Sequence, residues 1–554
     1  MTDLLIDKFL KMFFASFSII SFWLMRTARA VLFWVWLWQL KEYRFDRMSA
    51  HLAIKSGKRA ILNIFNLAHW LLFASFPLLI IFGSWKNIFV WIVLAVFSLE
   101  ILKGIFEVKK RIFKRPRFTK KALLISGTVF IFEIIIFLFY FIQIPLKKTL
   151  VGDINALVVI ALLTLALSIL LPFFIFFTVV LLKPITKIGK ARIIQKAKNK
   201  IAKYPNLIVI GITGSYGKTS TKEFLYTILF EKFSGVNILR TVKANTDIGV
   251  AKVVLNQLKP EHQIFIVEMG AYKRGEIKAI CDIVRPKIGI LTGINEQHLA
   301  LFGSLENTVK AKFELIESLP INGLAVLNGD SEKIKIQKSK IKLTNQNSKI
   351  YSINKKSDVY TQNVIVEKSK VNFKIVTKKE SKDFEINLIG KQNISNILAC
   401  VVVAEHLGMS LKEISQAIKK IKPLKKTMSA TNTKDGFILI DDTYNANPAG
   451  VLAALEYLKN FGGRKIILFP GIIELGPATK KVHQSLGRKM AEVCNLIIIT
   501  KKDFADYIIN GKKFIIQENP EKVYQILKNY LKPEDVVLFE SRGMESVLEK
   551  LKGK

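Results

Sequence analysis

Cysteine is almost missing. Cys281, Cys400 and Cys494 are the only three in 554 residues, and no Cys-x-x-Cys pair occurs. That excludes a disulfide framework and a zinc site, and it fits a reducing cytosol for the C-terminal part. Negative charge is also scarce: 43 Asp and Glu stand against 84 Lys and Arg, a net charge of +41. Such an excess commonly marks nucleic-acid binders. Here the densest basic clusters flank apolar runs long enough to cross a bilayer, so membrane lipid is the expected partner and nucleic acid is not. No inverted repeat or broken-helix pair is visible, which argues against a transporter.

What is abundant is apolar sequence in the first two hundred residues. Segments near 12–38, 67–84, 87–106, 122–144 and 156–182 each reach the roughly 20 residues a spanning helix needs, the second only just. Arg26 and Arg29 interrupt the first, which reads either as one helix with snorkelling arginines or as a shallow hairpin. Ala28-Arg29-Ala30 mimics a cleavage site, but the apolar run from Val31 to Trp38 follows directly, against a cleaved signal peptide. The stretches Lys41–Arg59, Lys109–Lys121 and Lys183–Lys203 are basic, whereas Ser84–Asn87 and Pro145–Asn155 are weakly charged. Basic loops alternate with weak ones, so five crossings put the N-terminus outside and the remainder in the cytoplasm. The expected location is the inner (cytoplasmic) membrane, multi-pass. Glu100 and Glu133 fall within these segments, as functional groups or as helix–helix contacts.

After Tyr204, apolar strand-like runs alternate with amphipathic helices, the pattern of an α/β sheet. The expected fold is an α-helical transmembrane region followed by α/β. Its divisions are 1–200 (about five helices), 201–425 (an α/β domain with a small antiparallel insertion near 333–388) and 426–554 (a second, Rossmann-like α/β domain).

The strongest local signal is Gly211-Ile-Thr-Gly-Ser-Tyr-Gly-Lys-Thr219, between the apolar run Leu207–Ile210 and a helix-like run from Glu223. Small residues at a strand–helix junction let backbone N–H groups close round phosphate oxygens, and the helix N-terminus favours negative charge. Thr213, Gly214, Ser215, Gly217, Lys218, Thr219 and Ser220 are therefore expected to cradle ATP. Lys218 reaches the terminal phosphates and the Thr219 hydroxyl meets Mg²⁺. The glycine spacing differs from the plain Walker pattern, since Gly211 and Gly214 straddle the position where its first glycine would stand.

These residues resemble the Mur ligases, ATP-dependent amide-forming enzymes of peptidoglycan precursor synthesis. Further matching motifs are Glu268-Met-Gly-Ala271, Gly275-Glu-Ile277, His298-Leu-Ala-Leu-Phe-Gly-Ser304 and Ala311-Lys-Phe-Glu-Leu315. Others are Asp441-Asp-Thr-Tyr-Asn-Ala-Asn-Pro448, Glu474-Leu-Gly476 with His483, and Ser541-Arg-Gly543. The resemblance covers about 205–554 and is strongest to the branch that adds D-alanyl-D-alanine to a UDP-muramoyl tripeptide. It implies an enzyme in which Lys218, His298 and Lys312 are catalytic, and Thr219, Glu268, His298 and Lys312 serve two Mg²⁺ ions, Lys312 as a carbamate. Asn393 and Asn396 would meet adenine, Asp442 the ribose, and Lys426 the γ-phosphate. Asn245, Asn445, Asn447 and Arg542 would face substrate.

The sequence departs from the family in several places. The small domain that grips the UDP-sugar is missing and membrane segments stand in its place, so the substrate is either a UDP-muramoyl peptide held differently or a lipid-linked precursor. Thr246 stands where another Asn is common. Lys425 or Lys426 replaces an arginine, Gln392 a histidine, and Phe539-Glu540 a Lys-Gly pair. Two rival readings follow: a membrane-anchored ligase for a poly-amino-acid or folate-like acceptor, and a non-catalytic scaffold that gathers cell-wall enzymes as partners.

Overall fold

The computed structural model describes residues 2–81, 85–110, 112–143, 156–340, 347–444, 446–509 and 514–553. The chain divides into two compact units, Met1–Ile188 and Gly189–Lys554.

The first unit is helical: α1 (Thr2–Leu40), α2 (Phe45–Leu52), α3 (Lys55–Ile61), α4 (Ile64–Ala74), α5 (Phe76–Ile81), α6 (Lys86–Lys109), α7 (Lys120–Gln143) and α8 (Ala156–Leu181). A basic helix, α9 (Lys183–Ile201), follows. Among the described residues four helical stretches are long and apolar enough to cross a membrane: Phe13–Leu40, Lys86–Lys109, Lys120–Ile142 and Ala156–Ile201. The expected span 67–84 is instead broken between α4 and α5, where Ser75 caps one helix and Pro77 lies in the first turn of the next. Proline lacks the N–H an unbroken helix needs and tolerates that first turn. Residue 84 and the expected loop at 145–155 lie outside the described residues. The first segment is one helix, not a hairpin. Its arginines do not snorkel: Arg26 pairs with Glu100 at 3.1 Å and Arg29 with Glu107 at 2.9 Å, both on α6.

The second unit holds two sheets. The larger is built from β1 (Ile208–Thr213), β2 (Ile238–Arg240), β3 (Ile264–Glu268), β4 (Ile288–Leu291), β5 (Leu324–Asn328), β6 (Asn347–Ser352), β7 (Val359–Val366), β8 (Val371–Thr377) and β9 (Ser381–Ile386). Their order is β2-β3-β1-β4-β5-β6-β7-β8-β9, parallel up to β7 and antiparallel from there on. Thus the 333–388 stretch does not stand apart as an insertion: β6 pairs in parallel with β5, and the antiparallel strands prolong the same sheet. Parallel strands buried on both faces need unbroken apolar runs, and Ile264–Glu268 is buried along its whole length. α10 (Lys218–Phe233) and the helix Gln392–His406 cover one face through Phe224, Ile228, Ile397 and Val401. The other face is covered by α9, α11 (Asp247–Gln257) and the helices Glu276–Val284 and Leu305–Glu317.

The second sheet comprises β10 (Ser429–Asn432), β11 (Ile438–Asp442), β12 (Lys465–Phe469), β13 (Leu496–Ile499), β14 (Phe514–Ile516) and β15 (Val536–Glu540). Their order is β10-β11-β15-β12-β13-β14, with only the β10 edge antiparallel. All three cysteines are buried free thiols, and burial raises each, Cys281 and Cys494 to about 12.

Candidate active site

In the larger sheet the chain passes from β3 across β1 to β4, so order reverses beside β1, the usual place for a ligand crevice at the carboxyl ends of parallel strands. The glycine loop lies there. Gly214 (φ 151°) and Gly217 (φ 76°) adopt backbone angles that side-chain-bearing residues rarely take. A Cβ on Gly217 would also come within 2.5 Å of Asn396 Oδ1. The Lys218 amine curls back to donate to the Gly214 carbonyl at 2.7 Å. Burial, partly countered by the negative charge of Glu268, holds it below the usual lysine range.

Glu268 ends β3 and gathers the loop's polar groups. Its Oε2 accepts from Thr219 Oγ1 at 3.1 Å and from Lys222 Nζ at 3.2 Å, and its Oε1 from Asn245 Nδ2 at 3.3 Å. Its own N–H donates to Thr241 Oγ1 at 3.0 Å. A buried carboxylate beside a hydroxyl is a hard-oxygen donor set suited to Mg²⁺, and the Lys222 ammonium already supplies positive charge at that carboxylate. Among the described residues no three His, Cys, Asp or Glu side chains cluster as a metal cage, so the fit rests on Thr219 and Glu268.

His298 caps the short helix Leu299–Phe302 in a left-handed conformation (φ 60°). Its Nδ1 lies 2.6 Å from Glu474 Oε2, and its ring meets Tyr272 edge-on at 4.8 Å. Burial holds the imidazole below its ordinary pKa, against the raising effect of Glu474. Lys312, 3% exposed, lies over the Phe302 ring at 5.6 Å. Burial first, then the charge of Lys218, pushes it well below the lysine range, towards a neutral amine.

The two sheets meet here. Glu474 follows β12, so the His298 contact joins the domains, as do Asn295 Nδ2 to Asn447 Oδ1 at 3.0 Å and Ala300 N–H to the Glu474 carbonyl at 2.9 Å. Asn447 also caps the helix Pro448–Leu458. Arg542 donates to the Tyr444 carbonyl at 3.0 Å, and Lys426 lies 3.6 Å from Glu545. Asp442 accepts from Met428 N–H and stands in register with Glu540 on the neighbouring strand. Burial raises Asp442 to about 7, and raises Glu540 well above the carboxylate range.

Other expected residues take supporting positions. The Thr213 hydroxyl is fully buried and donates to the Met269 carbonyl at 2.9 Å. Ser215 Oγ accepts from Asn295 N–H at 3.1 Å, and Ser220 opens α10 beside Thr219. Asn396 packs beneath the loop, accepting from Thr221, and Asn393 donates to the Ile389 carbonyl. Asn445 lies outside the described residues. Sequence reasoning missed Glu474 and Lys222 as site residues. Glu474 stood in a quoted motif without a role, and Lys222 is one lysine among many, marked only by being one helical turn past Lys218. His483, from the same motif, is structural: fully buried, it accepts from Ile472 N–H and stacks on Phe504 at 4.6 Å.

A phosphate loop at a sheet crevice, met by a second parallel sheet through a histidine–carboxylate contact, defines a two-domain nucleotide-dependent α/β enzyme. Sequence comparison narrows the class. The Mur ligase middle domain matches residues 212–404, and the Mur ligase glutamate ligase domain matches 428–543. The UDP-N-acetylmuramoyl-tripeptide–D-alanyl-D-alanine ligase of Buchnera aphidicola is 32% identical over 352 residues, covering 62% of this chain and 76% of that protein. The Escherichia coli enzyme of the same name is 30% identical over 305 residues, covering 55% and 67%. Among solved structures, MurF from Acinetobacter baumannii superposes with a TM-score of 0.61 at 27% identity, over 66% of this chain and 81% of that one. MurF from Thermotoga maritima in complex with ADP gives 0.60 at 25%, over 66% and 83%. The chain belongs to the Mur ligase family.

Proposed function

We propose that the chain is an ATP- and Mg²⁺-dependent ligase that joins D-alanyl-D-alanine to a UDP-muramoyl tripeptide in peptidoglycan precursor synthesis. The observation that carries this reading is the gathering of Thr219, Lys222 and Asn245 on Glu268 beside the Lys218 loop. A carboxylate is a poor electrophile. Its oxygen attacks the γ-phosphorus, ADP leaves, and the acyl phosphate carbon is open to the incoming amine. The amine nitrogen bonds to that carbon, the C–O bond to phosphate breaks, and the amine loses a proton. Lys218 holds the terminal phosphates, and the loop amides absorb developing charge. Mg²⁺, held by Thr219 and Glu268, would neutralise charge between nucleotide and acid. Lys312, buried and shifted towards its neutral form, has the lone pair that carbamylation requires. Closure of the two sheets through His298 and Glu474 excludes water from the acyl phosphate.

The test is purified full-length chain with UDP-muramoyl tripeptide, D-alanyl-D-alanine and ATP, with product mass and released phosphate as readouts. Lys218→Ala abolishes phosphate release. Undiminished turnover in that variant refutes the site, and a product built on another amine supports the poly-amino-acid or folate-like reading.

We further infer that the helical unit is a multi-pass anchor in the cytoplasmic membrane with the ligase on the cytoplasmic side. Four crossings would leave the basic stretch Lys41–Arg59 on the opposite side from Lys109–Lys121 and Lys183–Lys203. The charge rule is met when the broken α4–α5 segment takes the chain across as well, giving five crossings and an outer N-terminus. The anchor supports a lipid-linked precursor as an alternative substrate. A reporter fused to the N-terminus is expected to be exposed to added protease in intact spheroplasts; protection refutes the five-crossing arrangement.

A further inference from the structure

The helical unit holds a polar cluster that ligase chemistry does not use. Arg26 and Thr27 on α1, His69 on α4, Glu100 on α6 and Glu133 on α7 are all at most 5% exposed. Arg26 Nε donates to Glu100 Oε2 at 3.1 Å, and His69 Nε2 lies 3.0 Å from Glu100 Oε1. One turn further along, Arg29 pairs with Glu107 at 2.9 Å. Gly104 makes room for that pair, since a Cβ there would come within 2.9 Å of Arg29 Cδ. Each arginine of α1 is thus matched to one carboxylate of α6.

Glu133 has no such match. It is 0% exposed and faces Thr27 and Arg26, yet neither carboxylate oxygen makes a hydrogen bond among the described residues. α7 packs mainly against α1 and α8. From α1 the charged neighbour is Arg26, already engaged by Glu100, and α8 has no titratable residue between Ala156 and Leu181. Beyond Arg26 stand Glu100 and His69. Two arginines, three carboxylates and one imidazole reach neutrality only with one added proton, and a bare carboxylate in an apolar bundle is costly.

We propose that Glu133 is a proton-binding site inside the bundle, with His69, linked to it through the Arg26–Glu100 pair, as a second seat for the same proton. When the proton moves, the Glu133 O–H bond breaks and leaves its electron pair on oxygen, and an N–H bond forms on the imidazole. The cluster's net charge does not change. Such exchange is what intramembrane carboxylates in proton relays perform. This inference rests on the reading of the helices as membrane-spanning.

The test treats the full chain in lipid nanodiscs with a hydrophobic carbodiimide, which modifies carboxyl groups in their protonated form, and locates adducts by peptide mass spectrometry. Glu133 is expected to be modified at acidic pH, several-fold less as pH rises, and equally with or without sodium. His69→Gln increases the yield by removing the second seat. Glu133→Gln abolishes that adduct and keeps wild-type ATP turnover, showing the chain is folded. An adduct independent of pH, or absent from both wild type and His69→Gln, overturns the proposal, and protection by sodium overturns it in favour of a metal cation. The membrane reading is judged separately by extraction of native membranes with alkaline carbonate. Release of the chain there refutes the anchor, whereas the carbodiimide adduct reports a protonated buried carboxyl with or without surrounding lipid.

Discussion

Glu540→Gln offers a sharp test of the electrostatics at the carboxyl ends of the second sheet. Asp442 and Glu540 sit in register on adjacent parallel strands, and Glu540 is 2% exposed with its Oε2 unpartnered among the described residues. Neighbouring strands lie about 4.8 Å apart. Two negative charges about 5 Å apart at an effective dielectric constant near 20 repel by about 3 kcal/mol. That is worth roughly two pH units. In the folded chain Asp442 is raised from 3.8 to about 7. The native state therefore keeps a proton that the unfolded chain has released, and stability falls as pH rises from about 4 to about 7. Burial is the first cause of that shift and outlasts the substitution. Glu540, held well above the carboxylate range by burial and then by the charge of Asp442, keeps a second proton at the same kind of cost. Its amide isostere needs none, so Glu540's own share of the fall disappears while that of Asp442 stays. Thermal unfolding of the detergent-solubilised chain is the assay. At pH 8 the variant should melt about 4 °C higher, the shift expected from about 3 kcal/mol in a unit of this size. At pH 5 the two should nearly coincide. A variant that melts no higher than wild type at pH 8, with the same pH profile, shows that the pair is not in electrostatic contact.

Two further substitutions probe the ATP side. Gly217→Ala imposes a left-handed conformation costing about 1–2 kcal/mol and drives a methyl against Asn396. Nucleotide affinity should fall at least tenfold by equilibrium dialysis with ATP, and unchanged affinity would show the loop to be adaptable. Lys312→Arg keeps a long basic side chain but replaces an amine that can become neutral with a guanidinium that cannot. It should bind ATP as wild type does and lose at least a hundredfold in turnover, whereas retained turnover would exclude a carbamate.

Much of the α/β unit was legible because its signals are local. A glycine loop between an apolar strand and a helix fixes its own geometry, and a run such as Ile264–Glu268 can only be a strand buried on both faces. The antiparallel strands near 359–386 were visible from alternation, yet their union with the main sheet was not. That depends on β6 pairing with β5, a contact that leaves no mark in either strand. The Asn393–Asn396 segment carried a family role, but Asn396 packs beneath the loop, a placement set by tertiary contact with Thr221. In the helical half, four of the five expected segments are long apolar helices among the described residues, and hydropathy did not show the break between α4 and α5. It missed that Arg26 and Arg29 turn inward, because their partners on α6 lie more than seventy residues away.

The three sequestered thiols have a practical side. Each sulfur is shut away from solvent and held in its unreactive protonated form, so the native chain gives little background to maleimide chemistry. Single cysteines placed at Lys310 and Lys480, exposed sites on the two ligase domains, would accept a donor and an acceptor dye without first stripping the protein of its own sulfur. The swing of one lobe against the other could then be followed by energy transfer as nucleotide is added.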